Sequence, residues 1–225
     1  MGRLRLWVVG CLVLSFLPAE SWGRAPALVA RGKSHYTIVI SESCSPSEEH
    51  AAKEFRDFIK EISGADLPIR TDAEPVIPPL VCIGQSKRLR EIAVGVNLDG
   101  LGKEGFAFYT TPRGLVIAGG RERGTLYGVY TFLEDELGCR WFTADCSRIP
   151  KKRTIRLGRI NRRRVPPLEY RGTDYPKSRD PDWSARNKMN GHNHATGPER
   201  TRDRQYHTPT LTKRDRTTKT RTLPI

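Results

Sequence analysis

The chain has 225 residues and a formal net charge of +14, which is room for one well-buried domain, or for one domain and a fragment of a second. A hydrophobic content of 37% with 16 prolines is too low for a chain packed throughout. From residue 151 onward there are 21 Lys and Arg against 7 Asp and Glu, so this last third carries the whole excess of charge and residues 1–150 are near neutral.

Residues 1–23 read as an export signal. Arg3 and Arg5 precede an apolar run over residues 6–17, Pro18 ends it, and Ser21 and Gly23 offer small side chains for cleavage. The run is too short to span a bilayer. Val8-Val9-Gly10-Cys11 has the look of a lipidation box, but the apolar run continues past the cysteine and leaves almost no apolar stretch before it. The predicted location is therefore secreted or periplasmic. Removal of the signal leaves Cys44, Cys82, Cys139 and Cys146, for which three pairings are open. Cys82 and Cys139 lie inside apolar runs and also fit as buried thiols. Without a CxxC pair or a His/Cys ladder, no structural zinc is expected.

Residues 36–40 (YTIVI) predict a first strand. Ser45-Pro46-Ser47-Glu48 places a capping serine, a proline at the first helical position and a reciprocating glutamate. Ala52, Phe55, Phe58, Ile59 and Ile62 then form one apolar helical face that Gly64 stops. Residues 67–70 predict a short strand whose Pro68 suits a sheet edge, residues 80–83 (LVCI) a buried strand, and residues 86–93 a brief helix. Residues 104–110 and 115–118 flank Thr111-Pro112-Arg113-Gly114 and predict an antiparallel hairpin. From Thr125, the residues Leu126, Val129, Tyr130, Leu133 and Leu137 share a helical face, Glu134 to Glu136 stay in water, and Gly138 ends the helix. Strands over 139–142 and 154–157 complete an α+β fold, a mixed β-sheet packed with helices rather than a regular βαβ repeat.

Beyond that point Asn161-Arg162-Arg163-Arg164 and Val165-Pro166-Pro167 read as an interdomain connection, and residues 168–171 as the opening of a new strand. Residues 196–225, rich in Thr and Arg and without apolar periodicity, predict a disordered basic tail.

The glycines at Gly119, Gly120 and Gly124 invite a phosphate-loop reading. Their spacing is G-G-x-x-x-G where a dinucleotide fingerprint needs G-x-G-x-x-G, and the strand before them belongs to a hairpin. A structural turn is expected instead, with Gly124 serving close packing or a positive φ, and no nucleotide. His192 and His194 have no third ligand nearby and fit a polar loop better than a metal site.

Three stretches, AAKEFRDFIKEISGADLPI (residues 51–69), EGFAFYTTPRGLVIAGG (104–120) and RGTLYGVYTFLEDELGCRWF (123–142), resemble in order the non-catalytic N-terminal domain of alpha-glucuronidases, a small domain similar to domain 2 of beta-hexosaminidases. The resemblance covers roughly residues 36–160. It implies a domain over 34–160, a linker and the entrance of an incomplete (β/α)8 catalytic barrel over 161–195, and a carbohydrate as partner. PPLEYRG (166–172) resembles the entrance to the first barrel strand, where an arginine reaches the sugar. Arg171 is thereby implied as a substrate-binding residue, with an interdomain ion pair as the alternative. Glycosidic cleavage needs two placed carboxyl groups, or one assisted by the substrate. In the family these come from later barrel strands, and Glu169, Asp174, Asp180 and Asp182 match none of them, so no catalytic residue, cofactor or metal is assigned. After Ala195 the sequence departs from the family, as a shifted reading frame or a natural arm would. The expected function is that of a non-catalytic N-terminal domain of a secreted polysaccharide-degrading hydrolase. The alternative is a stand-alone extracellular module binding carbohydrate or polyanions through its basic tail, with nucleic acid disfavoured by export.

Overall fold

The computed structural model describes residues 27–93, 97–174 and 179–191. The signal peptide, His192, His194 and the tail lie outside the described residues. In chain order the elements are β1 (Thr37–Ile40), α1 (Pro46–Ser63), β2 (Ile69–Thr71), β3 (Leu80–Ile83), α2 (Lys87–Ile92), β4 (Phe106–Thr111), β5 (Gly114–Gly119), α3 (Gly124–Phe132), β6 (Arg140–Thr143), β7 (Cys146–Arg148), β8 (Asn161–Arg164) and α4 (Pro181–Arg186).

Six strands form one mixed sheet in the order β2-β1-β3-β5-β4-β8, and β6 and β7 form a separate hairpin. β2, β1, β3 and β5 run parallel, whereas β4 is antiparallel to both its neighbours. Strand side chains alternate between faces, and the core divides accordingly. Ile38, Ile40, Val81, Ile83, Phe106, Phe108, Leu115 and Ile117 pack under α1 and α3. Val39, Leu80, Cys82, Val116 and Ala118 pack under α2 on the other face. β1 and β3 are buried on both sides, which is why they read as unbroken apolar runs.

α1 forms as its sequence predicts. The Glu48 N–H donates to Ser45 Oγ (3.2 Å) and the Ser45 N–H donates to Glu48 Oε2 (2.8 Å), closing a capping box. Gly64 takes a left-handed conformation with its N–H bonded to the Lys60 carbonyl. α3 is buried on every side, because the sheet lies under it and α1 and α4 flank it. It runs into one π-helical turn (Leu133–Leu137) before Gly138 stops the chain. An aromatic seam crosses the layers: Phe108 meets Phe132 edge-on at 5.8 Å, Phe132 lies 5.7 Å from Phe55, and Trp141 lies 5.3 Å from Phe58 and 5.6 Å from Tyr130.

Three expectations are corrected. Residues 154–157 form no strand; Ile155 makes a single antiparallel bridge with Val29. Residues 168–171 form none either, because the Arg171 carbonyl accepts from the N–H groups of Asn190 and Gly191 and its own N–H donates to Asn190 Oδ1. Asn161–Arg164, read as part of a connection, is the outermost strand β8, aligned with β4 as Phe106 to Arg164 and Tyr109 to Asn161.

Candidate functional site: the strap and the crevice

The glycine turn after β5 is filled by backbone. A Cβ on Gly120 would collide with the carbonyls of Gly102 and Lys103, and one on Gly124 with the carbonyl of Gly105. The amide groups face partners of the chain itself: Gly120 N–H donates to Gly105 O (2.9 Å), Gly124 N–H to Gly120 O (2.9 Å), and Gly119 N–H to Thr125 Oγ1 (3.1 Å). Close approach, with no positive φ at Gly124, is what requires glycine there.

In open sheets with parallel strands, ligands favour the crevice at the carboxyl ends of adjacent strands whose connections leave to opposite faces. β1 and β3 make such a pair, since α1 covers one face and α2 the other. Two buried carboxylates of the protein occupy the crevice. Glu48 accepts from the N–H groups of Ser45 (2.8 Å) and Gln85 (3.3 Å) and from the Ser45 hydroxyl (3.1 Å). Asp72 accepts from the N–H groups of Glu42 (3.0 Å) and Lys87 (2.8 Å). Burial alone would raise the Asp72 pKa, but these N–H donors and the Lys87 charge hold it below the usual range. The amides that would greet an anion are thus already bonded to internal ones.

The most elaborate polar construction joins the segment after β8 to the sheet domain. This strap comprises residues 168–174 and 179–191, and among the described residues it is held by three ion pairs: Arg171 with Glu104, Arg186 with Glu54, and Lys188 with Glu134. In each, both side chains are less than about a third exposed, which distinguishes them from the other, surface pairs. Arg171 is engaged at every guanidinium nitrogen: Nε donates to the Lys188 carbonyl (2.8 Å), Nη1 to the Leu168 carbonyl, and Nη2 to Glu104. It also lies over the Tyr127 ring, 5.7 Å from its centre. The Tyr127 hydroxyl donates to the Met189 carbonyl (3.0 Å), and Asn190 Nδ2 donates to both Glu104 oxygens (3.1 and 2.9 Å).

Around Arg186, Glu54 Oε2 accepts from Nε (3.1 Å) and from the buried Tyr130 hydroxyl (2.9 Å), while Oε1 accepts from Nη2 (3.3 Å). The guanidinium sits over Phe58 at 5.2 Å. Burial raises the Tyr130 pKa well above its usual value and the Glu54 charge adds to this. For Arg186, burial opposes the charge, yet Glu54 outweighs it and the pKa is raised. Trp183 is buried and its Nε1–H donates to the Trp141 carbonyl (3.1 Å).

Of the residues singled out in the sequence, Arg171 sits at the centre of the strap. Asp180 caps α4, accepting from the Trp183 N–H (2.6 Å), and Glu169 contributes its carbonyl to Asn190. Cys44, Cys82, Cys139 and Cys146 are free thiols; Cys82 and Cys139 lie in cores on opposite faces of the sheet. Among the described residues, no cluster of three metal-binding side chains occurs and no helix is long and apolar enough to cross a membrane. Glu54, Glu104, Tyr127 and Asn190 were not legible as a group, because their partners lie 62 to 132 residues away in sequence.

The described residues thus form a sheet domain with α-helical layers, to which the strap is fastened by ion pairs. Residues 28–132 match the family described as Glycosyl hydrolase family 67 N-terminus. No curated protein matches the sequence. Among solved structures the chain is similar to BtGH115A, a GH115 4-O-methyl-alpha-glucuronidase with specificity for decorated arabinogalactans (20% identity, TM-score 0.43, 61% of this chain and 18% of that one). It is also similar to the GH20 beta-N-acetylhexosaminidase of Streptomyces coelicolor A3(2) (20% identity, TM-score 0.33, 50% and 19%) and to the Streptomyces plicatus beta-hexosaminidase (21% identity, TM-score 0.32, 50% and 18%). The chain spans less than a fifth of the length of these enzymes.

Proposed function

We propose that this chain is the non-catalytic N-terminal domain of an exported, carbohydrate-active hydrolase of the alpha-glucuronidase type, with the residues after β8, 165–195, leading into a catalytic barrel. The family match over residues 28–132 carries this reading. The strap supports it, since three half-buried ion pairs fix the direction in which the chain leaves the domain. In this reading the domain does no chemistry. It sets the position of the first barrel strand, and the carboxyl groups that cleave the glycosidic bond come from sequence outside this chain. Polysaccharide or oligosaccharide is bound by the adjoining barrel, in the secreted or periplasmic space.

Arg171 enters as the residue that holds the strap in register. A direct sugar contact is the alternative role, and it requires Glu104 to release Nη2. Reading the DNA downstream of the Ala195 codon in all three frames tests the proposal. Barrel sequence in one frame is the expected result, and its absence from all three overturns the reading.

A further inference from the structure

Away from the strap, a depression of about 720 Å³ opens between the β4–β5 turn, the start of β8 and the end of α2, within the size range of small-ligand sites. Tyr109 and Asn161 are register partners on β4 and β8. They line it together with Arg113 from the turn and Arg159 from the approach to β8. Tyr109 follows Phe108, whose side chain packs under α3, so the tyrosine faces the opposite side of the sheet.

Much of the lining is already committed. The Thr110 hydroxyl donates to the Gly158 carbonyl (3.0 Å) and accepts from the Ile160 N–H (2.8 Å). Both Glu91 oxygens accept from Arg88 Nη1 (3.0 and 2.9 Å), which neutralises the acid on this wall. Two arginines remain, and neither Arg113 nor Arg159 forms an ion pair among the described residues. The depression therefore offers two guanidinium forks, a side-chain amide and a partly exposed aromatic ring.

A guanidinium binds a carboxylate through two parallel hydrogen bonds. An aromatic ring gives an apolar platform with a polar tip, suited to the C–H face of a pyranose. A pyranose ring carrying a carboxylate and hydroxyl groups offers a partner to each of these groups. We propose that this depression binds a uronic-acid unit of an acidic polysaccharide. The choice of a sugar acid over other anions rests on the reading of the domain as part of a carbohydrate-active protein; the charge and the geometry do not.

The test is calorimetric titration of the full chain with tetragalacturonate, with neutral maltotetraose and inorganic phosphate as controls. Binding of tetragalacturonate and none of maltotetraose is expected. The double variant Arg113→Gln/Arg159→Gln is expected to lose at least tenfold in affinity, and Tyr109→Ala severalfold. Arg148→Gln/Arg156→Gln removes the same charge from exposed positions outside the depression, and is expected to change affinity less than twofold. Far-UV circular dichroism confirms that each variant is folded. Equal losses in the two double variants mean attraction by overall charge, and overturn the proposal. So does phosphate competing as well as the oligosaccharide, or no binding of tetragalacturonate. Binding is measured without any barrel, so failure here leaves the domain assignment standing, and absence of barrel-coding DNA leaves this result untouched.

Discussion

Replacing Glu54 by alanine should release α4 from α1. The carboxylate accepts from Arg186 at two nitrogens and from the Tyr130 hydroxyl, so its loss strands a half-buried cation and a buried phenol together. Removing one partner of a fully buried pair costs about 3–5 kcal/mol, and a surface pair is worth about 0.2–1 kcal/mol. The side chains here are 22% and 14% exposed, which places the cost between these limits, at about 2–3 kcal/mol. Glu54→Gln keeps an acceptor for Tyr130 and loses the charge, and should cost about half as much. Arg186→Met keeps much of the contact over Phe58 and should cost about 1–2 kcal/mol. In a double-mutant cycle the two sites should couple by about 1 kcal/mol or more. Urea unfolding followed by circular dichroism gives the totals, and tryptophan fluorescence follows Trp183 as it leaves the Trp141 carbonyl. Additivity within about 0.3 kcal/mol would show that the pair is formed but carries no stability, and α4 would then owe its hold to Trp183 packing.

Gly124→Ala drives a Cβ into the Gly105 carbonyl and should destabilise by about 2–3 kcal/mol, read as a shift of the urea midpoint; an unchanged midpoint would show that the turn can relax. Arg171→Lys keeps a charge for Glu104 but loses the fork that reaches the Lys188 and Leu168 carbonyls, so hydrogen exchange should speed up at the Asn190 and Gly191 amides. Burial pushes the Cys82 thiol up to about 12 and Cys139 to about 11. At pH 8 a disulfide reagent should therefore modify exposed Cys146 first and leave Cys82 and Cys139 intact until urea is added. A depressed folded pKa at Asp72 stabilises above the unfolded value near pH 4, and that contribution is lost as pH falls through the folded pKa. Asp72→Asn should lower stability at pH 7 and flatten the decline in urea midpoint below about pH 4; an identical acid limb in both proteins would place the effect elsewhere.

Local chemistry made residues 36–143 readable. The Ser45-to-Glu48 capping box, the apolar stripe ending at Gly64, the Thr111-to-Gly114 reversal and the stop at Gly138 are decided within a few residues, and each element stands within two or three residues of its predicted place. β8 was hidden because an edge strand exposed on both faces has no apolar alternation to betray it. β7 is three exposed residues and was hidden in the same way. The strap was partly legible: Arg171 stood out, but its alternative reading as an ion pair had no partner until the fold brought Glu104 to it from 67 residues away. Of the two carboxylates in the β1–β3 crevice, Glu48 was legible only as part of a helix cap and Asp72 not at all. That Glu48 also reaches the Gln85 amide depends on sheet order, which no local pattern encodes.

β8 also bears on how the sheet ends. An outermost strand leaves a row of backbone donors and acceptors open to any passing strand. Here that row belongs to Asn161, Arg162, Arg163 and Arg164, all exposed, while the opposite margin is the three-residue β2, which follows Pro68. A second copy pairing antiparallel along β8 would have to press Arg162 and Arg163 of one copy against Arg163 and Arg162 of the other. The residues that looked like a break between domains thus guard the domain against zipping onto itself.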